Sequence, residues 1–165
     1  MGATTKRDSK VDKAEFVQIR KFIVKLGKML HKYGTPAFRQ EAHLTEVATY
    51  LGVHASFIST PTSMTFVIWS DKHEDEYTHA ARVQPGDLDL GSLARTDELV
   101  TQLLEGKLSL SEADRQLDEI NALPNPYGKL ATGAAFCLST GAFAMLLGSS
   151  WNDVFWSAAI GLVVY

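Results

Sequence analysis

Cysteine is almost missing from this 165-residue chain; Cys137 stands alone. One cysteine closes no intrachain disulfide and builds no cysteine metal cluster. The N-terminus lacks the apolar core of a secretory signal, so a cleaved leader is not expected. No G-x-S-x-G, P-loop or dinucleotide glycine pattern occurs, which removes the motif-based case for a hydrolase, nucleotide or dinucleotide site. The five histidines (His31, His43, His54, His73 and His79) show no metal-ligand spacing. No metal and no other cofactor is expected. The most informative absence is charge. Between Leu130 and Asn152 there is none, with Lys129 bounding the run on one side and Asp153 on the other.

An apolar run of roughly 18 residues or more can cross the hydrocarbon core of a bilayer as a helix. Leu130 to Leu147 meets that length. The uncharged run after Asp153 stops at Tyr165 and is about half a span at a rise of roughly 1.5 Å per residue. The expected partition is a disordered basic tail (1–14), a cytoplasmic domain (15–123), a linker (124–129), a first transmembrane helix (130–148) and the start of a second (152–165). This partition predicts a fragment of something longer. The mean hydropathy of −0.04 hides it, because the apolar residues concentrate at one end.

Charge is also lopsided. Residues 1–39 carry a net +7 and residues 40–165 a net −10. A basic amphipathic start can meet anionic lipid or nucleic acid; the simpler reading is a solvated helix face, and no nucleic-acid partner is expected. Every basic residue lies on the N-terminal side of the first span, so the positive-inside rule places the domain in the cytoplasm.

Along the chain, Phe16, Ile19, Ile23, Leu26, Leu30 and Tyr33 recur at helical spacing, and Gly34 suits the cap that ends such a helix. Thr35-Pro36 predicts an N-cap and a first-turn proline for a second helix, with Leu44, Val47, Ala48 and Leu51 inside. Short β-rich runs at 55–60, 64–70 and 77–83 predict three strands, with a charged loop at 71–76 and a turn at Pro85-Gly86. Two more helices follow. One runs from Asp89 to Glu105, with Leu90, Leu93, Leu99, Leu103 and Leu104 as its apolar set. The other opens on a Ser109–Glu112 capping box, with Leu110, Ala113, Leu117 and Ile120 inside. The fold class is therefore an α+β domain (helix-helix-strands-helix-helix) followed by α-helical transmembrane segments.

Several positions are candidates for function. Gly133, Cys137 and Gly141 form a small-xxx-small row that lets membrane helices pack closely; Thr132, Thr140, Ala144 and Gly148 form a second. Trp151, Trp156 and Tyr165 are candidate interface aromatics. Asp153 is either an ionisable group within the membrane or a helix cap. Arg39 and Glu41 fit a zwitterionic ligand or structural pairing. Ser59, Thr60, Thr62 and Ser63 around Pro61 offer hydroxyl nucleophiles by residue type only. Asp87 and Asp89 read as turn and cap residues rather than a calcium loop.

Taken together, KYGTPAFRQE (32–41), STPTSMTFVI (59–68), DLDLGSLARTDELV (87–100), LSLSEADRQLDEI (108–120) and GSSWNDVFWSAAIGLVV (148–164) resemble the threonine/serine exporter family. The resemblance runs from about Phe16 onward. It implies a cytoplasmic domain and a bundle of helices in the inner (cell) membrane, exporting small amino acids such as threonine and serine on the proton gradient. It implies further spans in the same or a second chain, and admits a homo-oligomer. The family has also been suggested to carry hydrolase-like activity, so a membrane-tethered hydrolase of small peptides or amides is the alternative, and an interaction module with a separate membrane partner the third. Its signature falls here on Gly34, Pro36, Arg39, Glu41, Pro61, Leu93, Ala113, Leu117, Asp118, Trp151 and Asp153. The first five and Asp153 are the candidates for substrate binding or gating.

Overall fold

A computed structural model describes residues 12–71, 73–84, 88–124 and 127–164. The Pro85-Gly86 turn, Asp87, Tyr165 and most of the basic tail lie outside the described residues, as do the side chains of 73–75 at the charged tip. The chain divides into two units, one up to Ala122 and one from Leu123 on.

The first unit is an α+β domain. Helix α1 (Lys13–Lys32) starts on Asp12, whose carboxylate accepts the Lys13 N–H. All six positions of its predicted stripe are buried, together with Phe22 and Met29. Gly34 ends it at φ 77°. There the Gly34 N–H reaches the His31 carbonyl and the Thr35 N–H the Leu30 carbonyl, a Schellman closure that a β-carbon would oppose. Three further helices follow, α2 (Ala37–Tyr50), α3 (Leu90–Leu104) and α4 (Leu110–Ala122); α1 and α2 pack on the sheet, and α3 and α4 pack on each other and on α2 and α1. Strands β1 (His54–Thr60), β2 (Ser63–Ser70) and β3 (His73–Arg82) form an antiparallel meander in the order β1-β2-β3.

Register sets the two faces of the sheet. Phe57 pairs with Phe66 and Phe66 with His79; Met64 pairs with Ala81. Phe57, Met64, Phe66, Ile68 and Ala81 are buried and join the core that α1 and α2 supply. The alternate residues Ser56, Ile58 and Trp69 face away and are exposed. Gly27 marks the closest approach of α1 to the sheet. A β-carbon there would meet Phe66 Cε1 at 2.6 Å and Leu44 Cδ1 at 3.1 Å.

The element order agrees with the pattern-based expectation, with four local differences. Strand β3 begins at His73 rather than Tyr77, because the pairing with β2 shifts register after Ile68–Tyr77 and resumes at Ser70–His73. Thr35 does not cap α2. Its hydroxyl is buried without a hydrogen-bond partner, and Pro36 takes the cap position. In α3, Leu99 and Leu103 are buried and Leu93 and Leu104 pack against the core as expected, but Leu90 is exposed, and Ser92, Thr96 and Val100 join the inner face. The basic face of α1 is only partly solvated. Lys25 bridges Asp114 (2.7 Å) and Asp118 (2.9 Å) on α4, Lys32 donates to Asn121, and Arg20 lies 4.4 Å from the centre of the Tyr77 ring.

The second unit is a helical hairpin, α5 (Lys129–Leu146) and α6 (Trp151–Val164). Among the described residues α5 is the one helix long and apolar enough, by length and composition, to cross a membrane. Only 17% of its apolar window is buried, unlike a core helix of a soluble domain. α6, at 14 residues, is shorter than a span.

Candidate functional site

Three of the sequence blocks meet at one pole of the α+β domain. α1 ends there and α2 and α3 begin there. The Asp89 N–H reaches the Tyr33 carbonyl at 3.4 Å, joining the start of α3 to the end of α1. The β1–β2 turn joins from the other side. Glu41 accepts the Ser59 N–H (2.9 Å), the Ser59 hydroxyl donates to Gln40 Oε1 (2.7 Å), and His31 Nε2 sits 3.2 Å from the Pro61 carbonyl. Gly34, Pro36, Glu41 and Pro61 are thus neighbours in space although 27 residues apart at the extremes.

The organising residue here is Gln40, which sequence reasoning passed over. It is fully buried. Its amide N–H donates to the Gly27 carbonyl at 2.6 Å and approaches the Met64 sulfur at 3.5 Å, while its oxygen receives Ser59. One side chain ties α1, α2 and both strands of the hairpin. The signal was available: Gln40 stands four before Leu44 and seven before Val47, on the apolar stripe of α2.

Arg39 and Glu41 do not form a joint clamp. Two apart on a helix, they do not face each other; Arg39 is exposed, and Glu41 is half-buried against Ser59. The hydroxyls of the turn are likewise occupied structurally. Ser59 is held by Gln40, and Thr60 pairs with Ser63 at 2.7 Å. Among the described residues none of these hydroxyls bonds a histidine, so no nucleophile–base pair is assembled. Nor do three His, Cys, Asp or Glu side chains converge as metal ligands among the described residues.

Asp89 is the N-cap of α3. The Ser92 N–H, then the Ser92 hydroxyl, bind its carboxylate and hold it below the usual carboxylate range, with Arg95 adding to the effect. Burial pushes the Tyr33 phenol up, and the Asp89 charge pushes the same way against the Ser92 hydroxyl. The remaining signature positions are structural. Ala113 and Leu117 are buried, Leu93 is half-buried, and Asp118 holds Lys25.

In the hairpin unit, Gly133 and Gly141 are buried and Cys137 is half-buried. A β-carbon on Gly141 would meet the Ala158 methyl at 3.2 Å, and one on Gly161 would fall onto Thr140 and lie 2.9 Å from the Phe136 carbonyl. The sequence-level rows missed Gly161, which supplies the matching small surface on α6. Asp153 is exposed and accepts the Ser150 N–H at 3.3 Å, while the Ser150 hydroxyl accepts the Asn152 N–H. That reciprocal arrangement is a helix cap. Trp151 and Trp156 are exposed.

A family model described as "Putative threonine/serine exporter" matches residues 21–165. An uncharacterized protein of Schizosaccharomyces pombe is 32% identical over 114 residues, which is 69% of this chain and 15% of that protein. Pheromone-regulated membrane protein 10 of Yarrowia lipolytica is 27% identical over 92% of this chain and 12% of its own length. A protein of Mycobacterium tuberculosis named "Probable threonine/serine exporter" is 36% identical over 42% of this chain and 13% of its own length. The chain thus spans less than a sixth of the length of these curated relatives. No solved structure matches.

Proposed function

Because this chain belongs to the threonine/serine exporter family, we propose that it carries the cytoplasmic domain and first membrane helices of a larger multi-pass exporter of threonine, serine and similar small amino acids. The observation that carries this reading is α5. It is an apolar helix of span length, largely unburied, packed on a second apolar helix through Gly141 and Gly161. Small residues at the contact let two helices approach closely where lipid offers no hydrophobic drive for association. The charge flank supports a cytoplasmic domain, and the family resemblance supports export driven by the proton gradient across the inner (cell) membrane. The α+β domain then biases or gates the pathway. Its pole around Gly34, Pro36, Arg39, Glu41 and Pro61 is the region where a change would be passed between helices and sheet.

The test is efflux. Cells lacking the gene and loaded with a threonine-containing dipeptide should accumulate internal threonine and export it more slowly than the parent, and the full gene should restore export. Collapse of the proton gradient should slow the parent to the rate of the deletion strain. Unchanged efflux on deletion would remove the proposal.

A further inference from the structure

The domain exposes large apolar side chains at the same pole as the converging blocks. Phe38, in the first turn of α2, is 77% exposed; Leu88 and Leu90, flanking the α3 cap, are 70% and 64% exposed. Their shared location follows from the bonds already described. Gly34 to Pro36 lead directly from α1 into Phe38's turn, and the Asp89–Tyr33 bond places Leu88 and Leu90 at the end of α1. The last turn of α4 lies there too, since Lys32 of α1 donates to Asn121. This is the pole from which the chain leaves the domain. Six residues, 123–128, then separate α4 from α5, a tether of at most about 25 Å. Scattered exposed leucines are ordinary. Three large apolar groups at the exit toward a span-length helix are better accounted for by a lipid surface within reach.

We infer that this pole docks on the bilayer, with Phe38, Leu88 and Leu90 entering the boundary between headgroups and acyl chains. Arg39, beside Phe38, has no ion-pair partner among the described residues and is placed to meet lipid phosphate while its methylenes stay in apolar surroundings. Docking at this pole would couple the membrane surface to the Gln40-centred contact between helices and sheet. The inference rests on the reading of α5 as a membrane helix.

The test uses the full chain with Cys137 replaced by alanine, reconstituted in phosphatidylcholine–phosphatidylglycerol vesicles. Single cysteines carrying an environment-sensitive fluorophore are placed by Phe38→Cys, Leu90→Cys, Thr49→Cys at the far end of α2, and Leu138→Cys on α5. Lipids brominated near the headgroup should quench the labels at 38 and 90 at least about twofold more than the label at 49, as an apolar face set roughly 5–10 Å into the interface requires. Lipids brominated deep in the chain should quench the label at 138. Equal quenching at 38, 90 and 49 with strong quenching at 138 overturns the docking and leaves the span intact. Absence of quenching at 138 overturns the span reading and the docking with it.

Discussion

Gln40 is one amide with three partners, and it makes the strongest prediction at the scale of a single side chain. Gln40→Leu keeps the volume approximately, removes the second bond to the Gly27 carbonyl, which retains its helical one, and strands the Ser59 hydroxyl. An unsatisfied buried polar group costs about 1–3 kcal/mol. The variant should therefore unfold at lower denaturant in a circular-dichroism titration, by an amount in that range. Ser59→Ala in the same background should add little, because its partner is already gone; a fully additive loss would show that the two residues do not act as a pair. Gly34 makes a second prediction. Gly34→Ala must hold an L-residue at φ 77°, a strain of roughly 1–2 kcal/mol, which the same titration reads. Gly34 was legible in the sequence because a glycine after a helical stripe has a local meaning. Gln40 was not read, since a polar residue on an apolar stripe declares its role only once its partners, 13 and 19 residues away, are in place.

Among the elements, caps and close contacts set the sensitive points. The Asp89 carboxylate is held below its ordinary value of 3.8 by the first turn of α3. A group whose folded value is depressed stabilises the fold above its unfolded value, and that contribution is lost as pH falls through the folded one. Asp89→Asn keeps a cap but removes the charge. The stability gap between parent and variant should hold constant above about pH 5 and narrow below pH 3.8, as the parent carboxylate takes up its proton. A gap independent of pH down to 2 would show that the charge contributes nothing. The hairpin makes a similar point through packing. Gly161→Leu would drive a side chain into Thr140 and Phe136 of α5. Paired cysteines at Gly141 and Ala158, which face each other across α5 and α6, should form a disulfide readily in the parent and much more slowly in that variant. Helix identities and caps could be read from local patterns, such as the Ser109–Glu112 box, in which each residue meets the other's N–H. The early start of β3 could not, because it rests on a shifted pairing of Ser70 with His73 that charged residues, weak strand formers, do not signal locally.

For the whole molecule the question is which side of a membrane the domain occupies. The positive-inside reading predicts that a cysteine at Thr49, in a Cys137→Ala background, is shielded from a membrane-impermeant maleimide in intact cells and reacts once the membrane is opened. Reaction in intact cells would place the domain outside. Family membership, the apolar span-length helix and the order helix-helix-strand-strand-strand-helix-helix were each readable from the chain. They rest on local composition and on periods of two and 3.6 residues, which are properties of short stretches. Tertiary structure decided the rest. It turned Lys25 and Lys32 from a solvated face into ties to α4, committed Ser59 to Gln40, and brought the blocks at 32–41, 59–64 and 89–92 to one pole. Those outcomes depend on which residues far apart in the chain come within hydrogen-bond reach. Only the closed core, built around the approach of Gly27 to Phe66, determines that distance.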